Sequence, residues 1–560
     1  MTHQKTQSEN PKAELSNFGS GYIWLQATLL SYLLLWISFP PVGFAWLAWI
    51  APVPLLWISM DSKPWMPNNS ADRGFLKYRP YRQIYLAGLI YWLGLFYFIP
   101  IPHPALWIGW ILVSSYLALY SPIFVAACRG LHQNFRLPLL VVVPVCWTGI
   151  ELIRSYFATG MALVCLSHTQ YRSPILIQVA DLFGGYTLTF LMVLTACGIA
   201  ILTASLAKSF FKIQPPALTI SSRALTSLVT ILAFSFVLVY GQFRLSEDVE
   251  LGEEQVELAL IQTSHDVIFG RMTDDRIRVE YENKYRLTNQ ALNDNPELDL
   301  IVWPESALIP YTDLLTDFNA QNTVRLAQQN IRRVFADMTQ SKPGQKPMMM
   351  VGAGTLDPDS DALYASVLLL SEFGEIKGRY FKNHLIMVGE YIPFLDTVFP
   401  FAKDWIRLPS TTAGTKFESY EVAGLQFAPN LCFESTLPQL IRRQLNQLAA
   451  EQGEPDAMVN LTNDGWFYGT SCLDLHLACN VFRAVEMRKP NLVCANTGFS
   501  AEIDTCGRLV QLGPRRAEAI LPIKFRSQFR SSLYRSWGDT IPAILAVVTM
   551  IGWFTSLRRI

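Results

Sequence analysis

The chain has 560 residues, with Lys plus Arg and Asp plus Glu both at 45, so it lacks the net basic field that binding nucleic acid requires. Apolar residues make up 51% and charged residues 16%, against about 25% charged in soluble domains, which excludes a disordered chain and a small disulfide scaffold. The shortage of charge is local: residues 21–246 hold 17 charged side chains in 226 positions, and the other 334 positions hold 73. The first part reads as membrane and the second as a water-facing domain.

Apolar runs near the ~20 residues that span a bilayer predict crossings at 22–40, 42–60, 84–101, 106–127, 137–153, 174–203 and 226–243, with an eighth at 539–557. Pro40, Pro41, Pro52 and Pro54 break the second into pieces, so that hairpin needs neighbours to satisfy its freed carbonyls. Lys5, Lys12, Lys63, Arg73, Lys77, Arg79, Arg82, Arg129, Arg136, Lys208, Lys212, Arg223, Arg558 and Arg559 fall in one set of loops, while the opposite short loops offer Arg154 and Arg172. The positive-inside rule then places residues 1–21 and 558–560 in the cytoplasm. Helices one to seven occupy 22–243, and 244–538 form an outer domain tethered at both ends. Glu151 and Arg154, three apart near the outer end of a span, read as a buried ion pair, with headgroup contact as the alternative.

Nine cysteines are present. Cys128, Cys146 and Cys197 lie in or beside apolar spans; Cys165, Cys432, Cys472, Cys479, Cys494 and Cys506 lie outside, where disulfides are permitted but spacing pairs none of them. No CxxC or His-x-x-x-His spacing suggests a metal, and no Gly-rich motif suggests a nucleotide, so no cofactor is expected.

Residues 255–512 alternate strand-like and helix-like runs. Strands are expected at Val256–Ile261, Leu298–Trp303, Met348–Gly354, Ala365–Leu370, Leu425–Leu431, Ala457–Leu461 and Leu492–Ala495, and helices at Asp275–Asn293, Thr323–Met338, Leu437–Leu448 and Asp474–Arg488. Such alternation, with both sheet faces needing cover, predicts an α/β sandwich. Ligand sites in α/β sheets gather at the carboxyl ends of strands. Glu305 in IVWPESA and Cys432 in LCFES stand at two such ends, and GRYFKNHLIMVGEYIPF supplies Lys382 and Glu390. Singly, each has a plain reading: a solvated turn carboxylate, a surface ammonium, a small buried hydrophobe.

Read together, the three segments resemble the nitrilase superfamily, with a Glu, a Lys and a Cys in this order on an α-β-β-α sandwich. Eight helices narrow the resemblance to its membrane-embedded branch, the apolipoprotein N-acyltransferases. VNLTNDGWFYG (459–469), the helix with His476, Arg483, Glu486 and Arg488, NTGFSAEIDTCG (496–507), IELIRSYFATG (150–160) and DLFGGYTLTF (181–190) extend the match over nearly the whole chain. The resemblance implies a multi-pass protein of the bacterial inner membrane with its catalytic domain on the periplasmic side. It implies transfer of an acyl chain from a phospholipid, through a thioester on Cys432, to the α-amino group of a diacylglyceryl-modified apolipoprotein cysteine, in a ping-pong scheme. Glu305 matches the general base, Lys382 the oxyanion-stabilising cation and Cys432 the nucleophile; Glu390, Glu434 and the Phe433 amide are supporting, with a salt-bridged framework role as the alternative for Glu434. Trp303, Asn463 and Trp466 are expected around the substrate pocket, or in the case of the last two as holders of a turn; Arg483 and Glu486 read as a framework ion pair. The apolar segment PFLDTVFPFAKDWI, with Phe399 and Phe401, is expected to form an arm dipping into the headgroup zone, or else a loop packed on the sandwich. Two positions depart from the family pattern: only Phe269 supplies an aromatic in QTSHDVIFGR, and Phe433 stands where Tyr is frequent. A membrane-tethered amidase acting on small amides uses the same three groups and remains the alternative; a transporter leaves their order unexplained.

Overall fold

The computed structural model describes residues 21–60, 75–76, 79–104, 106–211, 219–267, 274–308, 347–357, 362–386, 390 and 411–557. The expected helix Thr323–Met338, the arm with Phe399 and Phe401, and Phe269 lie outside the described residues.

The membrane half is helical. Its helices include α1 (Ile23–Ser38), α2 (Pro80–Leu95), α3 (Tyr120–Phe135), α4 (Leu139–Tyr156), α5 (Gly185–Leu202) and α6 (Ile220–Ser246). Eight crossings were expected. Among the described residues five helical segments are long and apolar enough to cross a membrane: Leu106–Phe135, Leu139–Tyr156, Gly185–Leu202, Ile220–Ser246 and Thr540–Leu557. The shortfall has local causes. The 42–60 run is two short pieces, Ala45–Trp49 and Val53–Ser59, as its prolines dictate. The 174–203 run holds one long helix, because Gly184 at φ +75° ends the turn Ala180–Phe183 before α5 begins. Helices α1 and α2 have 16 residues each, about 24 Å at 1.5 Å per residue, short of the ~30 Å hydrocarbon core.

Lipid-facing surface is written on the long helices. On α6, Leu225, Leu228, Ile231, Leu232, Val239 and Phe243 are all exposed, and an isolated soluble domain does not carry such a stripe.

The α/β domain begins with β1 (Glu250–Gln262), α7 (Asp274–Asp294), β2 (Leu300–Leu308), β3 (Met348–Asp357), β4 (Ala362–Leu370) and β5 (Ile376–Phe381). It continues with β6 (Tyr420–Val422), β7 (Leu425–Leu431), α8 (Pro438–Glu451), β8 (Ala457–Thr462), α9 (Cys472–Met487), β9 (Asn491–Ala495), β10 (Ala501–Ile503), β11 (Leu509–Leu512) and β12 (Ala519–Phe529). The last helix, α10 (Thr540–Leu557), returns to the membrane half. Two six-stranded sheets form, in the orders β12-β1-β2-β3-β4-β5 and β11-β10-β9-β8-β7-β6. Each has a parallel trio, β1-β2-β3 or β7-β8-β9, with antiparallel neighbours. The strands β5, β6, β10, β11 and β12 were not expected.

Strand parity makes the sandwich. In β1, Val256, Leu258 and Leu260 enter the core shared with Phe427, Val459 and Leu461 of the second sheet. Ala259 and Ile261 point the other way and pack with Leu287 and Ala291 of α7. A strand covered on both faces is apolar on both, which is why VELALI reads as a continuous run.

The membrane half is docked against this domain. Leu473, Leu475, Ala478, Phe482 and Val485 of α9 belong to one core with residues of α1, α2 and α5. On α10, Pro542, Ala546, Thr549, Gly552 and Ser556 form the buried side and Ile544, Val547, Ile551 and Phe554 the exposed one. Small residues let helix backbones approach in lipid, where burial of apolar surface adds little. Gly130 of α3 shows how close: a methyl group there would collide with the Gly552 carbonyl.

Candidate active site

Strand β2 runs in register with β3 as far as Trp303 and then slips before Leu308. Pro304 has no amide hydrogen for the ladder, and Ser306 takes a left-handed φ of +58°. The resulting bulge brings Glu305 to the carboxyl end of the strand. Gly352 of β3 leaves the space for it, since a Cβ there would stand 2.5 Å from the Glu305 Cα. In the second sheet, β7 stops at Leu431 and Cys432 turns the chain with φ +46° into the short helix Cys432–Thr436. A left-handed non-Gly residue costs about 1–2 kcal/mol, so the surroundings must hold it there. Lys382 follows β5 directly and is 1% exposed.

These three side chains converge. Lys382 Nζ donates to Glu305 Oε1 at 3.4 Å and to Glu390 Oε1 at 2.6 Å. Cys432 lies near enough to the Glu305 carboxyl and the Lys382 ammonium for both charges to act on its thiol, and the second Glu305 oxygen accepts the Asn463 amide at 3.0 Å. Glu390 is anchored in turn by the Ile386 amide at 2.8 Å. Burial raises the Glu305 carboxyl above its ordinary value, with Lys382 opposing and Glu390 reinforcing. Burial, then the negative charge of Glu305, pushes the Cys432 thiol well up, while Lys382 pulls it down. Burial opposes the charge on Lys382, yet Glu390 and Glu305 together outweigh it and hold the ammonium firmly protonated. At rest the site therefore holds a thiol and an ammonium on either side of the Glu305 carboxyl. That set suits addition of sulfur to a carbonyl carbon, with a neighbouring oxygen to take the thiol proton and a cation for the developing oxyanion.

Glu434 lies fully buried and accepts four hydrogen bonds: from the amides of Leu431 (2.8 Å), Asn383 (2.7 Å) and His384 (3.0 Å) and from the Tyr380 hydroxyl (2.8 Å). It staples the turn carrying Cys432 to the strand end carrying Lys382. Phe433 is half-buried and its ring stacks on His384 at 6.3 Å. Asn463 caps the Asp464–Phe467 turn, its side-chain oxygen accepting from Gly465 (3.3 Å) and from Asn496 (2.9 Å). Trp466, half-buried, belongs to the same turn. Trp303 is placed elsewhere. It faces the helix-covered side of the first sheet, buried against Tyr285, with its indole N–H on Thr288 at 3.0 Å, because strand parity sends it away from the space between the sheets.

Membrane-half residues touch the turn and helices next to the site. Phe98 meets Phe467 edge-on at 5.4 Å, and the Tyr97 hydroxyl accepts the Ser471 amide at 3.4 Å. On the other flank Gln439 donates to the Ser155 carbonyl at the end of α4 (2.8 Å). Glu151 and Arg154 are both buried, each held by separate partners: Glu151 accepts from the Leu166 amide and Thr189, and Arg154 donates to the Val164 carbonyl. Arg483 and Glu486 do form a buried ion pair, at 2.7 Å. All nine cysteines are free thiols.

Residues 31–198 match the family model described as the apolipoprotein N-acyltransferase N-terminal domain, and residues 281–529 match that of carbon-nitrogen hydrolase. The apolipoprotein N-acyltransferase of Rhodopirellula baltica is 29% identical over 95% of this chain and 97% of its own. That of Geobacter metallireducens is 30% identical over 91% of each. The chain belongs to the apolipoprotein N-acyltransferase family. Among solved structures, Saccharomyces cerevisiae Nit3, a member of branch 10 of the nitrilase superfamily, is 17% identical over 48% of this chain and 90% of its own, with a TM-score of 0.35.

Beyond its Glu, Lys and Cys, this apolipoprotein N-acyltransferase family member has a contact set that sequence reading passed over. His476 of α9 reaches the nucleophile turn, with Nε2 3.0 Å from the Cys432 carbonyl and Nδ1 3.0 Å from Asp464. Arg483, two turns further along the same helix, donates to the carbonyls of Ser435 (3.3 Å) and Thr436 (3.2 Å). The i, i+7 spacing of the two residues on one helix was the available signal.

Proposed function

We propose that the chain acts as an apolipoprotein N-acyltransferase, moving a fatty acyl group from a phospholipid to the α-amino group of an N-terminal S-diacylglyceryl-cysteine. The observation that carries this reading is the Lys382–Glu305 contact beside Cys432, in a chain whose long helices carry exposed apolar faces. In the first half-reaction Glu305 takes the thiol proton as sulfur adds to the ester carbonyl. Lys382 and the Phe433 amide stabilise the oxyanion, where loss of one donor typically costs about 3–4 kcal/mol. The ester C–O bond then breaks, and the departing lysophospholipid oxygen recovers the proton from Glu305. In the second, the amine of the acceptor adds to the thioester and yields its proton to Glu305. The C–S bond breaks, and Cys432 is reprotonated. One small site serving two large lipid substrates in turn is a ping-pong arrangement. Glu390 holds Lys382 in place, and Asn463 fixes the second oxygen of Glu305.

The same reading assigns residues 244–538 to the periplasmic side of the inner membrane, with both termini cytoplasmic. Contacts of Phe98, Tyr97 and Ser155 with the rim of the site support a pocket that receives its donor from the membrane. The test is intact mass of the full chain after incubation with phospholipid vesicles, for the parent and for Cys432→Ala. An acyl adduct on the parent alone supports the proposal; an adduct on both, or on neither, overturns it. Turnover of small amides by a parent that takes up no lipid acyl group would favour the amidase.

A further inference from the structure

The left-handed Cys432 has its own carbonyl oxygen tied down on several sides. Three donors meet the Cys432 carbonyl: His476 Nε2 at 3.0 Å, the Ser435 hydroxyl at 3.1 Å and Asn460 Nδ2 at 3.2 Å. The Ser435 hydroxyl, 3.1 Å from that carbonyl and 3.0 Å from His476 Nε2, has one hydrogen to give to either. The other ring nitrogen, Nδ1, lies 3.0 and 3.3 Å from the two oxygens of Asp464. Each nitrogen of His476 thus has a partner without a hydrogen to give, the Cys432 carbonyl at Nε2 and the Asp464 carboxylate at Nδ1. A neutral imidazole has one N–H and leaves one of these contacts as two lone pairs in opposition; an imidazolium satisfies both.

We infer that His476 is a buried imidazolium, oriented by Asp464, that acts as a positioning residue by clamping the Cys432 carbonyl and so holding the nucleophile in its left-handed conformation. The inference goes beyond the acyl-transfer scheme, but it rests on the reading of Cys432 as the nucleophile. The groups facing the ring are Asp464 from the 464–467 turn, Cys432 and Ser435 from the nucleophile turn, and Glu305 from β2. Arg483, on the ring's own helix, turns to Ser435 and Thr436. Burial disfavours the charged ring, but Asp464 outweighs it and the net displacement is upward, the direction a charged ring requires. The pair also cancels the charge of Asp464, which otherwise raises the Cys432 thiol.

Alkylation of Cys432 by iodoacetamide, followed by peptide mass on the full chain in detergent from about pH 5 to about pH 10, reads the nucleophile without any acyl substrate. The parent is expected to show a step in rate above the ordinary histidine range of about 6.5, lost as the ring deprotonates. His476→Gln keeps one donor towards the carbonyl and should alkylate within a few-fold of the parent at neutral pH, without that step. His476→Ala should fall roughly 100-fold, the cost of a misplaced reacting group, with Gln restoring most of the loss. Asp464→Asn should move the step to lower pH. The inference is overturned if the step survives in His476→Gln, or if His476→Ala alkylates at the parent rate. A parent whose Cys432 shows the step but never takes up a lipid acyl group would sink the acyltransferase reading and leave the clamp standing.

Discussion

Glu390 holds the Lys382 ammonium at 2.6 Å, closer than the 3.4 Å that separates the same nitrogen from Glu305. The tighter partner satisfies the cation and leaves Glu305 free to receive a proton. In Glu390→Gln the ammonium should draw towards Glu305 and depress its carboxyl, making a weaker base. Acyl-adduct formation, followed by intact mass across pH, should slow by roughly 100-fold and show its acidic limb at lower pH than the parent. An unchanged limb would separate Glu390 from the base.

The Glu305 carboxyl itself sits above its ordinary value, chiefly through burial. Acylation should therefore decline, as pH falls, at a pH above the ~4.3 of a free glutamate. Glu305→Gln should remove that limb along with roughly 10²–10⁴ of the rate. The stability sign runs the other way from activity. A raised carboxyl binds its proton more tightly when folded, so its contribution is present below the unfolded value and lost as pH rises through the folded one. Glu305→Gln is expected to unfold at a higher temperature than the parent at neutral pH, as measured by thermal denaturation in detergent.

Glu434 makes the opposite trade. Four donors converge on it, and Glu434→Gln would aim an amide N–H₂ at groups that are themselves donors. Each unsatisfied buried donor costs about 1–3 kcal/mol, so a lowered melting temperature should accompany any loss of activity. A variant of parental stability would mean that the staple between the Cys432 turn and the Lys382 strand end is dispensable.

In the membrane half, Gly130 leaves no room for a side chain against the Gly552 carbonyl. Gly130→Leu should force α3 and α10 apart, and overpacking of this kind typically costs about 1–3 kcal/mol. Cleavage of the detergent-solubilised protein by a soluble protease, at matched temperature, should rise accordingly; parental resistance would argue against close packing at this crossing.

The parts of this molecule legible in its sequence are those that local chemistry decides. The nearly unbroken apolar run in VELALI marked a strand covered on both sides, and Glu305 and Cys432 stood out because strand ends collect reactive groups. The helices expected from Asp275, Leu437 and Asp474 lie within two residues of Asp274, Pro438 and Cys472. What escaped depends on partners distant in the chain. Ala519–Phe529 is a strand only because β1 is there to pair with it. Trp303 looked like a pocket residue from its place beside Glu305, yet the bulge at Pro304 separates the two faces. Counting crossings by hydropathy read straight through Gly184 and treated 16-residue helices as full spans, since composition reports apolarity and not the distance a helix covers.

The pairing of β1 with β12 carries a consequence for how the protein is made. Glu250 aligns with Phe529, so the first sheet is closed on that side by residues synthesised some 280 positions later. As the nascent chain emerges, one edge of β1 has no neighbour until nearly the entire water-facing domain has been translated. An unpaired edge is a template for wrong strands. Glu250, Glu253, Glu254 and Glu257 fall within the first eight residues of that strand, and their mutual repulsion guards it against self-association while the ribosome finishes its work.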